Sequence, residues 1–227
     1  MSNKKNQEQD ELQSVDEALS KSERFIENNR KQLLIIFSAI IVIVVGIVCY
    51  NSYYVAPRNV KAADKLATCV RYFEQDSFAL ALNGDGINEG LVDIIDDYGV
   101  TETADLAAFY AGICSYNLGD YAQAVKYLKR FDSSTVNLEP AKITLIGDCY
   151  VSMEKYADAA KYFEKAGAIE NNLTAPRALN KAGICYEEMG NYTAAIRCYT
   201  TIKEKYFASQ IAMDMDKRIA RCNELAK

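Results

Sequence analysis

Cysteine is the first side chain to consider for chemistry in this sequence, which holds seven of them. A thiolate can attack a carbonyl, bind a soft metal or pair as a disulfide. Cys114, Cys149 and Cys185 recur at intervals of 35 and 36 residues, while Cys49, Cys69, Cys198 and Cys222 are scattered. There is no CxxC pair and no histidine anywhere in the chain. That removes zinc sites built on His, Ser-His and Cys-His nucleophile pairs, and imidazole bases. Cysteines in phase with a repeat read as small packing residues. Buried free thiols are therefore expected, not a disulfide framework. Free thiols sit uneasily with an oxidising compartment unless they are buried.

Carboxylates offer no better site. Asp96/Asp97 and Glu187/Glu188 are neighbours in sequence, so on a helix they point about 100° apart. Asn83-Gly84-Asp85-Gly86 invites a calcium-loop reading. However, Ile87 stands where a third oxygen ligand belongs, and no Glu follows at the required distance. The glycines read as a turn. No P-loop, GxSxG or HExxH is present. The chain is not expected to be an enzyme, and no cofactor or metal is expected. Lys and Arg number 26 against 31 Asp and Glu, a net charge of −5 without the basic stripe that nucleic acid requires.

The elements that carry these residues repeat. With Gly112, Gly147 and Gly183 aligned, the three cysteines share a column, as do Tyr121, Tyr156 and Tyr192, and Ala124, Ala159 and Ala195. Each unit reads as two short helices. Helix A carries small residues (Ala108, Gly112 and Cys114 in the first copy) that let a second helix approach. The turn Asn117-Leu118-Gly119-Asp120 follows, with Gly119 able to take positive φ and Asp120 able to cap helix B. Tyr121, Leu128 and Phe131 then fill the space around Ala124 at helical spacing. Pro140 and Pro176 each open an A helix, where a missing N–H costs little. A period of this length marks a helical solenoid.

This pattern resembles the tetratricopeptide repeat (TPR) family through the small residue before the turn, the Gly-Asp/Asn-Tyr step and the Ala three residues after that Tyr. It departs from the family at Ala108, where a bulky residue is expected, and at Glu154, which replaces the turn glycine. The resemblance implies an all-α, right-handed TPR solenoid whose A helices line a ligand groove. By resemblance, the groove positions fall on Leu106, Phe109, Ile113 and Tyr116. The second copy supplies Ala141, Thr144, Asp148 and Val151; the third supplies Arg177, Asn180, Ile184 and Glu187. Ile113 and Ile184 could equally pack under the neighbouring repeat. The set lacks the run of Lys and Arg by which some family members clamp a C-terminal carboxylate.

Along the chain, residues 1–31 form a polar tail with a capping box at Ser14-Val15-Asp16-Glu17 and a short amphipathic helix. Residues 32–56 read as a transmembrane helix, because no charge occurs between Gln32 and Pro57. The apolar run is too long for a signal-peptide core, and no small-x-small cleavage site follows it. Arg30 and Lys31 abut it, which places the N-terminus in the cytoplasm. Residues 57–104 read as a degenerate leading repeat. Within it, Val60 to Phe73 forms a helix with Ala63, Leu66, Ala67, Val70 and Phe73 inward, and a second helix runs from Ile87 to Tyr98. Residues 105–206 hold three repeats. Residues 207–227 form a capping helix with Ile211, Met215, Ile219 and Cys222 inward.

The expected function is a membrane-anchored adaptor that binds a protein or peptide. Its layout resembles bacterial inner-membrane proteins that accompany the Sec translocon, with the TPR domain in the periplasm. The alternative is a structural scaffold for an envelope or cell-division assembly.

Overall fold

The computed structural model describes residues 28–131, 138–169 and 171–227. The Ser14–Glu17 capping box and its helix lie outside them. The described residues are helical, without a strand, and the chain divides into two units between Ala56 and Pro57.

In the first unit, helix α1 covers residues 28–50, and a π-helical turn, Asn51–Val55, follows it. Its β-branched and leucine side chains form no buried core among the described residues, and Leu34, Ile41, Val45 and Val48 are all exposed. It is long and apolar enough to cross a membrane. Tyr50 and Tyr54 stack with ring centroids 5.2 Å apart at its C-terminal end.

The second unit is an all-α TPR-type solenoid. It opens, from Pro57 on, with the rest of α2 (Ala56–Glu74), then α3 (Phe78–Asn83) and α4 (Leu91–Asp97). The inward face of α2 differs from the expected one. Ala62, Leu66 and Cys69 are buried, whereas Ala63 and Ala67 are exposed. The stripe follows i, i+4, i+7, and the sequence reading assigned it one residue out of phase at two positions. Helix α4 is also shorter than expected: Ile87 is 92% exposed in the preceding loop. The carboxylate of Asp85 organises that loop. It accepts from the Ile87 and Asn88 backbone N–H groups at 2.8 and 2.6 Å and from the Tyr72 hydroxyl at 2.6 Å. Backbone and side-chain donors, led by Asn88 N–H, hold its pKa well below the usual carboxylate range. Its oxygens are engaged by the turn, which is why the loop reads as structure and not as a calcium ligand set.

Three helix pairs follow: α5 (Glu102–Asn117) with α6 (Tyr121–Arg130), α7 (Glu139–Ser152) with α8 (Tyr156–Ala168), and α9 (Ala175–Glu188) with α10 (Tyr192–Lys205). The glycine column sets their spacing. A Cβ added at Gly112 would lie 2.6 Å from Leu128 Cγ, one at Gly147 2.5 Å from the Phe163 ring, and one at Gly183 2.3 Å from the Tyr199 ring. In each pair the B-helix side chain sixteen residues on fills the space that a side chain on helix A would take. The period is therefore a steric requirement repeated three times. Leu128, Phe163 and Tyr199 are buried, as are the in-phase Cys114, Cys149 and Cys185.

The turns obey the same grammar with one local conflict. Gly119 and Gly190 adopt φ of 83° and 70°. Asp120 Oδ1 accepts from Gln123 N–H at 3.1 Å, and Asn191 Oδ1 accepts from Ala194 N–H at 3.2 Å. In the middle turn Glu154 adopts φ of 58°, and Lys155 at the N-cap has no side-chain acceptor to offer α8. Pro140 and Pro176 lie in the first turns of α7 and α9.

The C-terminal end is less regular than a single capping helix. A 3-10 turn, Gln210–Asp214, precedes α11 (Met215–Leu225). Met215 and Cys222 are buried, and Ile211 and Ile219 are half-buried against them. The cap is fastened by Glu187, whose side chain is 7% exposed. It accepts from the Tyr199 hydroxyl at 2.6 Å and pairs with Arg221 on α11, with Arg218 3.9 Å away.

Candidate peptide-binding cleft

The A helices carry the predicted groove residues, but they do not present them equally. In the first repeat, Leu106, Phe109, Ile113 and Tyr116 are all half-buried. Leu106 and Phe109 pack against the core formed with the leading helices. The Phe109 ring lies 5.1 Å from that of Phe131, and Tyr116 meets Tyr121 edge-on at 5.5 Å. Much of this apolar surface is already used by intramolecular packing.

Repeats two and three leave an opening. A cavity of about 210 Å³ is lined by Asp148 and Val151 from α7, Tyr156 and Phe163 from α8, and Lys181, Ile184, Cys185 and Glu188 from α9. Three predicted residues, Asp148, Val151 and Ile184, meet here. Ile184 is 37% exposed. Lys181 Nζ donates to both Asp148 oxygens, at 2.7 and 2.8 Å, and ties α7 to α9 at the cleft. The same ammonium lies 5.5 Å from the centre of the Phe163 ring.

The remaining predicted residues stand outside the cavity lining. Ala141 and Arg177 are exposed on the N-terminal turns of α7 and α9. Thr144 donates its hydroxyl to the Pro140 carbonyl at 2.7 Å, an internal helix bond. Asn180 is half-buried, and its Oδ1 has no hydrogen-bond partner among the described residues. Glu187 points under the cap, as described above. Its neighbour Glu188 lines the cavity in its place. The sequence reading did not assign Lys181, Phe163, Tyr156, Cys185 and Glu188 to the groove. The first and last were recoverable, because Arg177, Lys181, Ile184 and Glu188 follow one helical face at i, i+4, i+7 and i+11.

Five of the buried thiols are held in their protonated, unreactive form. Burial pushes Cys114 and Cys149 up to about 12 and Cys69, Cys185 and Cys198 up to about 11. All five are protonated thiols at neutral pH. No three His, Cys, Asp or Glu side chains among the described residues cluster as a metal site.

Comparison with known proteins agrees with this geometry. Residues 106–133 and 177–206 match one tetratricopeptide-repeat model, and residues 143–172 match another. No curated protein has a significantly similar sequence. Among solved structures, the fold is similar to nearly identical TPR-like repeats from a Podosopora anserina protein described as a kinesin light chain. The TM-score is 0.54 at 12% identity over 73% of this chain and 86% of that one. It is also similar to MamA protein, with a TM-score of 0.50 at 15% identity over 72% of this chain and 91% of that one. At such identities the likeness establishes the solenoid fold alone.

Proposed function

We propose that this protein is a membrane-anchored TPR adaptor that holds an extended polypeptide across the A helices of its second and third repeats. The observation that carries this reading is the cleft itself. It is an apolar, solvent-open hollow with charged rims, lined by α7, α8 and α9. Its volume of about 210 Å³ is below the 300–1,000 Å³ typical of small-molecule pockets, which suits one or two amino-acid side chains. Tethering through α1 raises the effective concentration of a weak binder beside a membrane complex. The arrangement of one apolar segment before a repeat domain supports a role beside a translocon, receiving newly exported segments on the periplasmic side of a bacterial inner membrane.

Two measurements on the full chain in its native membranes test this. In affinity purification after mild solubilisation, translocon subunits are expected to co-purify; recovery of only cell-wall or division machinery would favour the scaffold reading. The topology needs an introduced thiol, because Cys69 is only 1% exposed and cannot report on it. Ala122→Cys, at an exposed position on α6, should react with an impermeant alkylating reagent in cells whose outer permeability barrier is opened. Reaction only after lysis would reverse the orientation.

A further inference from the structure

We infer that the α7–α9 cleft selects segments in which a large apolar side chain and a Lys or Arg lie two residues apart. The apolar group would fill the hollow and the cation would sit on Glu188. This deepens the adaptor reading and rests on it.

Three observations lead here. First, the hollow has an apolar floor of Val151, Ile184 and Phe163, and Ile184 remains accessible. Second, its charges are unequally committed. Asp148 and Lys181 satisfy each other through two hydrogen bonds, whereas Glu188 is exposed and makes no ion pair or side-chain hydrogen bond among the described residues. A ligand carboxylate would have to displace Asp148 from Lys181 and would face Glu188 uncompensated. A ligand cation meets a free carboxylate. Third, the spacing matches. Ile184 and Glu188 are one helical turn apart, with Cβ atoms about 5–6 Å from each other. In an extended segment, side chains two residues apart share a face at about 6–7 Å. The selected motif is therefore an apolar residue, any residue, then Lys or Arg, in either chain direction. Acidic segments are rejected by the same carboxylate.

The test uses the full chain in detergent and fluorescent nonapeptides with blocked ends, differing only at the motif: Leu-Ser-Lys, Leu-Ser-Glu and Ser-Ser-Lys. The Lys peptide should bind about fivefold more tightly than the Glu peptide at low salt, the scale of exposed ion pairing gained against repulsion. Replacing Leu by Ser should weaken binding at least about tenfold. Glu188→Gln should abolish the charge preference, and Glu188→Lys should invert it, with the helical circular dichroism of both unchanged. Equal binding of the Lys and Glu peptides, or a preference that survives Glu188→Lys, overturns the inference while leaving the adaptor reading intact. A preference for a free C-terminal carboxylate that disappears in Lys181→Met also overturns it. If neither these peptides nor a random-sequence unfolded polypeptide binds, the adaptor reading fails as well.

Discussion

Gly147→Ala should destabilise the protein, although alanine is the better helix former. The position lies inside α7, where exchanging Gly for Ala gains about 0.8–1 kcal/mol of helix propensity. Against that, the new Cβ would stand 2.5, 2.7 and 2.9 Å from three atoms of the Phe163 ring. That ring is 1% exposed, so moving away from the new Cβ means leaving its packed position on the cleft floor. Overpacking of this kind costs about 1–3 kcal/mol. The net expectation is a loss of about 1 kcal/mol, a fall of roughly 2–4 °C in Tm for a chain of this size. Urea titration of the full chain in detergent, followed by circular dichroism at constant slope, measures it. Phe163→Leu in the Gly147→Ala background should recover part of the loss, with a coupling of about 0.5–3 kcal/mol in the double-mutant cycle. A stabilisation of about 1 kcal/mol in the single variant, as propensity alone dictates, would show that the two helices do not approach at this glycine. The reasoning behind the repeat period would then be refuted.

Other outcomes follow from the same contacts. Glu154→Gly and Lys155→Asp, which restore the turn and cap used by the other repeats, should each stabilise by about 1 kcal/mol in the same titration. Glu187→Ala leaves the Tyr199 hydroxyl without its acceptor and should cost about 1–3 kcal/mol; hydrogen exchange should place the loss in α11. Stability should also decline with alkalinity. The five deeply buried thiols stay protonated in the fold up to about 11–12, whereas in the unfolded chain they ionise near 9.0. Above pH 9 the unfolded state therefore binds fewer protons, and unfolding becomes easier as pH rises toward 11. For the same reason a thiol reagent at pH 8 should modify these five only after denaturation.

The repeats were legible because sterics writes them directly into residue types. Gly112, Gly147 and Gly183 are small because Leu128, Phe163 and Tyr199 occupy the space above them. Gly119 and Gly190 were readable as turns, and the repeat alignment put the middle turn at Glu154, which takes the same positive φ without being glycine. The leading helices were harder. Alanines 62, 63 and 67 have the same side chain on either face of α2, so periodicity could not say which was buried. The groove was half legible. The resemblance to the TPR family pointed to Asp148, Val151 and Ile184, which line the cleft, but a one-residue step separates Glu187, fastened under the cap, from Glu188 in the cleft. That choice depends on where Arg221 and Tyr199 arrive, which is tertiary information.

The most direct test of the account places a photo-crosslinking residue at Ile184 in the membrane-bound full chain, with Lys161 on α8, exposed and outside the cleft lining, as the control. The account predicts adducts with unfolded polypeptide from position 184, competed by an apolar-x-Lys peptide, and none above background from position 161. Equal adducts at both positions, or none at 184 while the protein still co-purifies with its partner, would contradict it.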